Sequence, residues 1–347
     1  MLQPIIELDQ AFELRRRGAL LVDVRSPSEF AETTIPGAIN VPIFDDEERA
    51  LVGTLYKQMN KKVARRRGIE LVAPKIPQLL QQVEAARDPD GPPAVVFCWR
   101  GGLRSLAITS FLNLAGIPAR QLKGGHKAFR QSVSRYFEQQ DWAKVLVLRG
   151  LTGVGKTQFL LKLADEGYPV IDLEGLANHR GSAFGALGLK PQPGQKMFEA
   201  LLWDRLDHLR DSDYLLTEGE SLHIGRLTVP KRFHMAMQTE TSLWLETSLD
   251  YRCQVILDDY PALDNLRAAF ESPILALKER LGKKVVAEML ELLQRGEWQQ
   301  LVHELMVRYY DPLYMHTLPE RRREILFSSF EEGMQQLREA ITIVLEE

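Results

Sequence analysis

Residues 95–105 read VVFCWRGGLRS: an apolar run ends in Cys98, and Arg100, Gly101, Gly102 and Arg104 follow before a helical pattern begins. The spacing is C-x5-R, and the thiol stands at the carboxyl end of a predicted strand, where open α/β sheets place their reactive groups. Two glycines let the backbone curl so that its N–H groups point inward, and the helix opening near Arg104 adds its N-terminal dipole. Such a cradle suits a tetrahedral oxyanion and favours a thiolate. Arg100 and Arg104 supply charge and forked donors that match phosphate-like groups. Cys98, Arg100 and Arg104 are therefore the candidate catalytic residues, with Gly101, Gly102 and Arg104 as the candidate anion cradle. The plainer reading, a buried strand-end cysteine beside two solvated arginines, leaves the order strand, cysteine, glycine turn, arginine, helix unexplained.

A second pattern, GLTGVGKT over residues 150–157, matches G-x4-G-K-T in full between a predicted strand and a predicted helix. Backbone N–H groups from Thr152 to Lys156, with Gly150, Gly153 and Gly155 shaping the turn, would cradle a diphosphate. Lys156 would neutralise its charge, and Thr157 could bind Mg²⁺. Carboxylates to assist a metal are offered by Asp172 and Glu174 in VIDLEG and by Glu218 and Glu220 in YLLTEGES. An aspartate ending the Glu218 strand would be the more usual choice, so diphosphate binding is better founded than nucleotide hydrolysis. The segment DLEGLANHRGSAFG, residues 172–185, adds His179 and Arg180 as second-site candidates, although its composition fits a solvated loop equally well. His223, Arg226, His303 and His316 are weaker candidates, since a lone histidine is more often structural. Cys253 lies in a helical pattern and reads as a small buried apolar residue.

These residues need a scaffold of alternating strands and helices. In the first part ALLVDV, AVVFC and ARQLKGG read as strands, with helical spacing in residues 103–116 and 126–137. The chain turns polar near residue 141, and the pattern restarts with KVLVLRG, PVIDLEG, YLLTEGE and SLWLET as strands and residues 195–210 as a long helix. Beyond Tyr260 the pattern is largely helical. The expectation is two α/β domains in series, residues 1–141 and 142–347. The 347 residues are 45% hydrophobic and 26% charged with net charge −3, which argues against a uniformly basic nucleic-acid binder but leaves local basic patches open. Only two cysteines, far apart, make no disulfide framework or thiolate metal site and fit a reducing cytoplasm. An N-terminus without a basic-then-apolar leader and the lack of a bilayer-length apolar run predict a cytoplasmic protein with no membrane partner.

LLVDVRSPSEFAETTIPGAINVP, residues 20–42, resembles the opening of rhodanese domains, and LKGGHKAF, residues 122–129, resembles the strand and helix after their active loop. The resemblance implies that Cys98 carries sulfur or selenium. The C-x5-R spacing also fits rhodanese-fold dual-specificity phosphatases, though those usually show histidine before the cysteine, where this chain has Phe97. The loop alone leaves transferase and phosphatase both open. A rhodanese-like domain followed by a phosphate-loop domain is rare, and QPGQKMFE, EGESLHIGR and YYDPLYMH in the second half complete a resemblance, over nearly the whole chain, to the tRNA 2-selenouridine synthase family.

That resemblance implies a selenotransferase that replaces the sulfur of wobble 2-thiouridine in tRNA with selenium from selenophosphate, through an S-geranylated base made from geranyl diphosphate. Selenophosphate and geranyl diphosphate are then co-substrates, Mg²⁺ a possible cofactor, and tRNA and a selenophosphate supply the partners. Basic residues for tRNA are Lys61, Lys62, Arg65, Arg66 and Arg67, Lys123 and Lys127 near the cysteine loop with Arg130, and Arg321 and Arg322 in ERRRE. Trp99, Tyr309 and Tyr310 are candidates to stack bases. Each charge run reads equally as a solvated helix face. Competing readings are a rhodanese-type sulfurtransferase fused to an ATPase, a phosphatase using Cys98 and Arg104, and a non-catalytic RNA-binding regulator switched by diphosphate.

Overall fold

A computed structural model describes residues 5–142, 144–239, 241–260, 263–315 and 319–346; His316 lies outside them. The chain divides into two compact units, Met1–Glu138 with Glu199–Leu201, and Gln139–Phe198 with Leu202–Glu347.

The first unit is built on a parallel five-stranded sheet in the order Ile5–Ile6, Ala119–Leu122, Ala94–Phe97, Leu21–Asp23, Ile39–Asn40. The central strand Ala94–Phe97 is buried at every residue, as its unbroken apolar run requires of a parallel strand covered on both faces. Val22, Val96, Ile108 and Leu112 form the middle of its core. The two edge strands are too short to leave an alternating pattern in the sequence. Sequence reasoning also missed the helices Asp46–Gln58 and Lys61–Val72, which pack on each other. Their starts are fixed by Asp45, which accepts from the Glu48 N–H at 2.8 Å, and Asn60, which accepts from the Val63 N–H at 2.9 Å.

The Asp-Val-Arg strand end is explained by a buried clasp. Arg25 donates through Nε and Nη2 to the Asp23 carboxylate at 3.0 and 2.7 Å, and Thr34 Oγ1 donates to the same carboxylate at 2.9 Å. Both ions are almost wholly buried, so the clasp is tolerable only because each polar atom finds a partner. Asn40 Nδ2 closes it from the next strand, donating to the carbonyls of Asp23 and Arg25.

The second unit has its own parallel sheet, Arg322–Leu326, Ser242–Glu246, Lys144–Gly150, Tyr214–Glu218, Val170–Ile171. The strand leading into GLTGVGKT lies centrally, with neighbours entered from opposite directions, which puts its carboxyl end at a switch point of the sheet. Two expectations change here. The ERRRE segment is not a helix face: Arg322–Leu326 is a strand paired in register with Ser242–Glu246. Asp172 does not end in a strand either; it caps the short helix Leu173–Ala177 by accepting from the Gly175 N–H at 2.7 Å. A helical region, Leu249–Met315, carries a core of its own around Phe270, Ile274, Met289 and Leu305. Among the described residues no helix is long and apolar enough to cross a membrane.

Two candidate active sites

Cys98 follows the central strand of the first sheet and is 3% exposed. Its Sγ accepts from the Gly102 N–H at 3.3 Å and lies 3.3 Å from Ser105 Oγ. The loop is shaped by glycines at close range. Gly101 has φ +62°, and a Cβ there would stand 2.4 Å from the Leu122 carbonyl oxygen; at Gly125, φ +59°, it would stand 2.1 Å from the Cys98 carbonyl oxygen. The Gly-Gly of LKGGHKAF thus lets the following helix lean on the cysteine loop, where the His126 and Lys127 N–H groups donate to the carbonyls of Cys98 and Trp99 at 2.9 Å. Gln121, not anticipated from the sequence, donates from one amide nitrogen to the carbonyls of Gly101 and Gly102 and to Ser105 Oγ. Replacing Gly125 by alanine is expected to cost about 2–3 kcal/mol through strain and clash. Urea unfolding together with the reaction rate of Cys98 toward a thiol reagent measures both effects.

Arg104 lies on the helix Leu103–Leu114, but its guanidinium is held by Glu29, Nη1 donating at 2.6 Å. Burial works to raise the Glu29 carboxyl, yet the Arg104 hydrogen bond and charge outweigh it and keep that group below the usual range. Arg100 and Gly102 are exposed at the loop surface, with Trp99 beside them, its ring 5.7 Å from that of His126. Cys98, Gly101 and Gly102 therefore share one loop, while Arg104 is engaged by an acid of the Pro27–Glu32 helix.

In the second unit the turn after Lys144–Gly150 uses glycine where only glycine fits. Gly153 has φ +80°, and a Cβ would meet the Arg252 carbonyl oxygen at 2.5 Å. Gly155, φ +85°, stands at the start of the helix Lys156–Asp165. Lys156 Nζ donates to the Gly150 carbonyl at 3.3 Å, and Thr157 Oγ1 donates to Glu174 at 2.9 Å. A cleft of about 270 Å³ opens here, lined by Thr152, Gly153, Gly155, Lys156, Thr157, Asp172, Glu174, His179, Arg180 and Glu220. The segment 172–185 is thus a wall of the cleft rather than a solvated loop. Glu218 stands behind it, fully buried, and accepts the Glu174 N–H at 2.7 Å.

Four carboxyls crowd this end of the sheet, and burial raises all of them: Asp172, Glu174, Glu218 (well above its usual value) and Glu220. Burial and then the Glu174 charge push Glu220 to about 8 against the pull of Lys156, and its carboxyl hydrogen-bonds that of Glu174. Both press on Gly181, whose lack of a Cβ leaves them room. Burial, then the Arg180 charge, lowers His179, whose Nδ1 accepts from the Gly181 N–H at 3.1 Å. Glu220 holds its proton more tightly folded than unfolded, so its stabilising contribution is full below pH 4.5 and is lost as pH rises through about 8. Glu220→Gln should therefore gain on the wild type by about 1 kcal/mol or more between pH 6 and 9, near 2–4 °C in Tm. Parallel melting curves for the two proteins across that range would contradict this.

Sequence reasoning missed what holds the glycine turn from outside. Arg252, 4% exposed, pairs with Asp311 through both Nη atoms at 2.8 Å and donates to the Thr152 carbonyl at 3.3 Å. No local pattern joins residues so far apart in the chain. Arg180, by contrast, lies over the Tyr260 ring at 4.4 Å and donates to the carbonyls of Leu187 and Asp259.

Family models match both halves: "Rhodanese-like domain" over residues 7–132 and "tRNA 2-selenouridine synthase AAA domain" over residues 143–342. The tRNA 2-selenouridine synthase of Shewanella denitrificans is 35% identical, with 94% of this chain and 96% of the relative covered. Those of Shewanella halifaxensis, at 35%, and Bdellovibrio bacteriovorus, at 34%, cover 91% and 93% of this chain and 93% and 95% of their own lengths. This chain belongs to the tRNA 2-selenouridine synthase family. A tRNA-modifying enzyme, with a rhodanese-like domain before a phosphate-loop domain, is what that membership establishes, and the phosphatase and general sulfurtransferase readings give way to it.

For a member of this family the basic candidates have uneven standing. Lys61, Lys62, Arg65 and Arg66 are exposed along Lys61–Val72, and Arg67 beside them pairs with Glu70 at 3.0 Å. Lys127 is exposed, and Lys123 pairs with Glu7 at 2.5 Å. Arg321 is exposed, while Arg322 pairs with Glu324. Tyr310 is buried in the helical core, so it is not a base-stacking surface, and Tyr309 packs beside it under Arg280. His223 and Arg226 belong to the hairpin of His223–Ile224 with Leu227–Thr228, where Arg226 donates to the Gln192 carbonyl at 2.5 Å. His303 is exposed beside Glu304. None of these three lines the cleft. Cys253 is buried with Val302 and Met306.

Proposed function

We propose that the enzyme converts wobble 2-thiouridine of tRNA to 2-selenouridine in two steps, one in each domain. Geranyl diphosphate binds the glycine turn, and the thiouridine sulfur attacks its C1 carbon as the C–O bond breaks and diphosphate departs. Cys98 Sγ then attacks the phosphorus of selenophosphate as the P–Se bond breaks, water later freeing the phosphate from sulfur, and the hydroselenide released attacks C2 of the base as the C2–S bond breaks and geranylthiol departs. What carries this reading is the pairing of a strand-end thiol under inward N–H donation with a complete diphosphate turn in a chain of this family.

The residues have separable tasks. Gly102 donates its N–H to Cys98 Sγ and so orients the sulfur, and the selenophosphate oxygens would take N–H groups of the Gly101–Arg104 turn. Lys156 and the backbone N–H groups from Thr152 would stabilise charge on the departing diphosphate. The hard oxygens of Thr157 and Glu174 suit Mg²⁺, which would add positive charge at the same oxygens. Among the described residues no three acidic, histidine or cysteine side chains form a metal cage. The exposed bases of Lys61–Val72, with Lys127 and Arg321, would meet tRNA phosphates and make binding salt-sensitive.

Nucleoside mass spectrometry tests this directly. The protein incubated with 2-thiouridine tRNA, selenophosphate and geranyl diphosphate should yield 2-selenouridine, and omission of selenophosphate should leave the S-geranylated base. Unchanged tRNA with active reagents would overturn the proposal.

A further inference from the structure

Beside the phosphate cleft lies a second cavity of about 50 Å³ with a nearly all-carbon wall. The two share Thr152, Ser182, Ile256 and Tyr260. They also touch through the turn itself: a Cβ on Gly153 would stand 2.8 Å from Cε of Met306, a residue of the cavity wall. Met306 opens a π-helical turn, Met306–Tyr310, the kind of helix irregularity that recurs at functional sites. Leading away from the shared edge, the rings run Tyr260, Phe270, Trp298, with centroids 5.8 and 5.4 Å apart. The Tyr260 hydroxyl donates to the Phe184 carbonyl, and the Trp298 indole N–H donates to Asp264. Neither polar tip is left for a ligand.

A nucleotide base would bring N–H and C=O groups that this wall cannot satisfy, at a cost burial does not return. A hydrocarbon chain would not, and dry apolar cavities of this kind take hydrocarbons. We infer that this cavity receives the isoprenoid chain of the ester whose diphosphate the glycine turn holds, and that Phe270 and Trp298 limit the chain length accepted. The inference rests on the proposed binding of a prenyl diphosphate at that turn. One water needs about 10–15 Å³ of such space, so the cavity as it stands admits a short chain and crowds a longer one.

Titration calorimetry with inorganic, dimethylallyl, geranyl and farnesyl diphosphates on the full chain tests it. Val302 and Phe270 line the apolar cavity and not the cleft. Filling the cavity with Val302→Phe should weaken geranyl diphosphate about tenfold or more, with inorganic diphosphate binding within about twofold of the wild type. Enlarging it with Phe270→Leu should shift the farnesyl-to-geranyl preference about fivefold toward the longer chain. If geranyl diphosphate binds the wild type tightly and neither variant changes these ratios, the chain lies elsewhere and the inference falls while the reading of the turn stands. If the wild type binds inorganic diphosphate but gains nothing from any prenyl chain, both fall together.

Discussion

Cys98→Ser is expected to lose 2-selenouridine formation by on the order of 10³-fold or more, while S-geranylation continues within about twofold. Serine keeps nearly the shape of cysteine, so the Gly102 N–H and Ser105 hydroxyl at 3.3 Å keep a partner and the loop keeps its form. What is lost is a soft, polarisable sulfur nucleophile, which a hydroxyl oxygen does not replace. Because Cys98 is 3% exposed, a structural role has to be separated from a chemical one. Equal Tm for variant and wild type, together with accumulation of the S-geranylated nucleoside, does so. Selenouridine formation at the wild-type rate would remove Cys98 from the chemistry.

Lys156→Ala is expected to weaken diphosphate binding about 100-fold and to stop S-geranylation of 2-thiouridine tRNA. In the structure Lys156 Nζ rests 3.3 Å from the Gly150 carbonyl, and its partial neutralisation of Glu174 and Glu220 holds those carboxyls lower than burial alone would. Removing it therefore does two things: it deletes a cation for the leaving group and leaves the carboxyls less compensated. The second effect raises the carboxyls further and predicts a shift of the variant's stability curve in the same sense as the wild-type loss above pH 4.5. Calorimetry with inorganic diphosphate, which needs neither tRNA nor selenium, reads the first effect alone. Unchanged affinity would place the diphosphate elsewhere.

Much of the site was legible because its chemistry is local in sequence. The glycines at 101, 153 and 155 all adopt positive φ, the conformations their spacing implied, and the strand Lys144–Gly150 was readable to the residue. What stayed hidden is long-range. Arg104 reads as an anion donor from its spacing alone, but Glu29, far upstream, takes its guanidinium. Gln121 sits in a predicted strand, and only the parallel pairing of Ala119–Leu122 with Ala94–Phe97 brings its amide to the cysteine loop. ERRRE reads as helical because arginine and glutamate favour helix; an available parallel edge on Ser242–Glu246 overrides that preference. By composition the segment 172–185 fits a solvated loop as well as a site, yet Leu173 and Ala177 are buried and pin its polar residues to the cleft.

The central claim is that each domain performs one of two successive steps, and a relay between two variants tests it most directly. tRNA geranylated by Cys98→Ser is purified and given, with selenophosphate, to Lys156→Ala. The second variant should convert it to 2-selenouridine at close to the wild-type rate, although it leaves 2-thiouridine tRNA untouched. If Lys156→Ala cannot use the geranylated tRNA, the glycine turn is needed for selenium transfer as well, and the division of labour between the two domains is wrong.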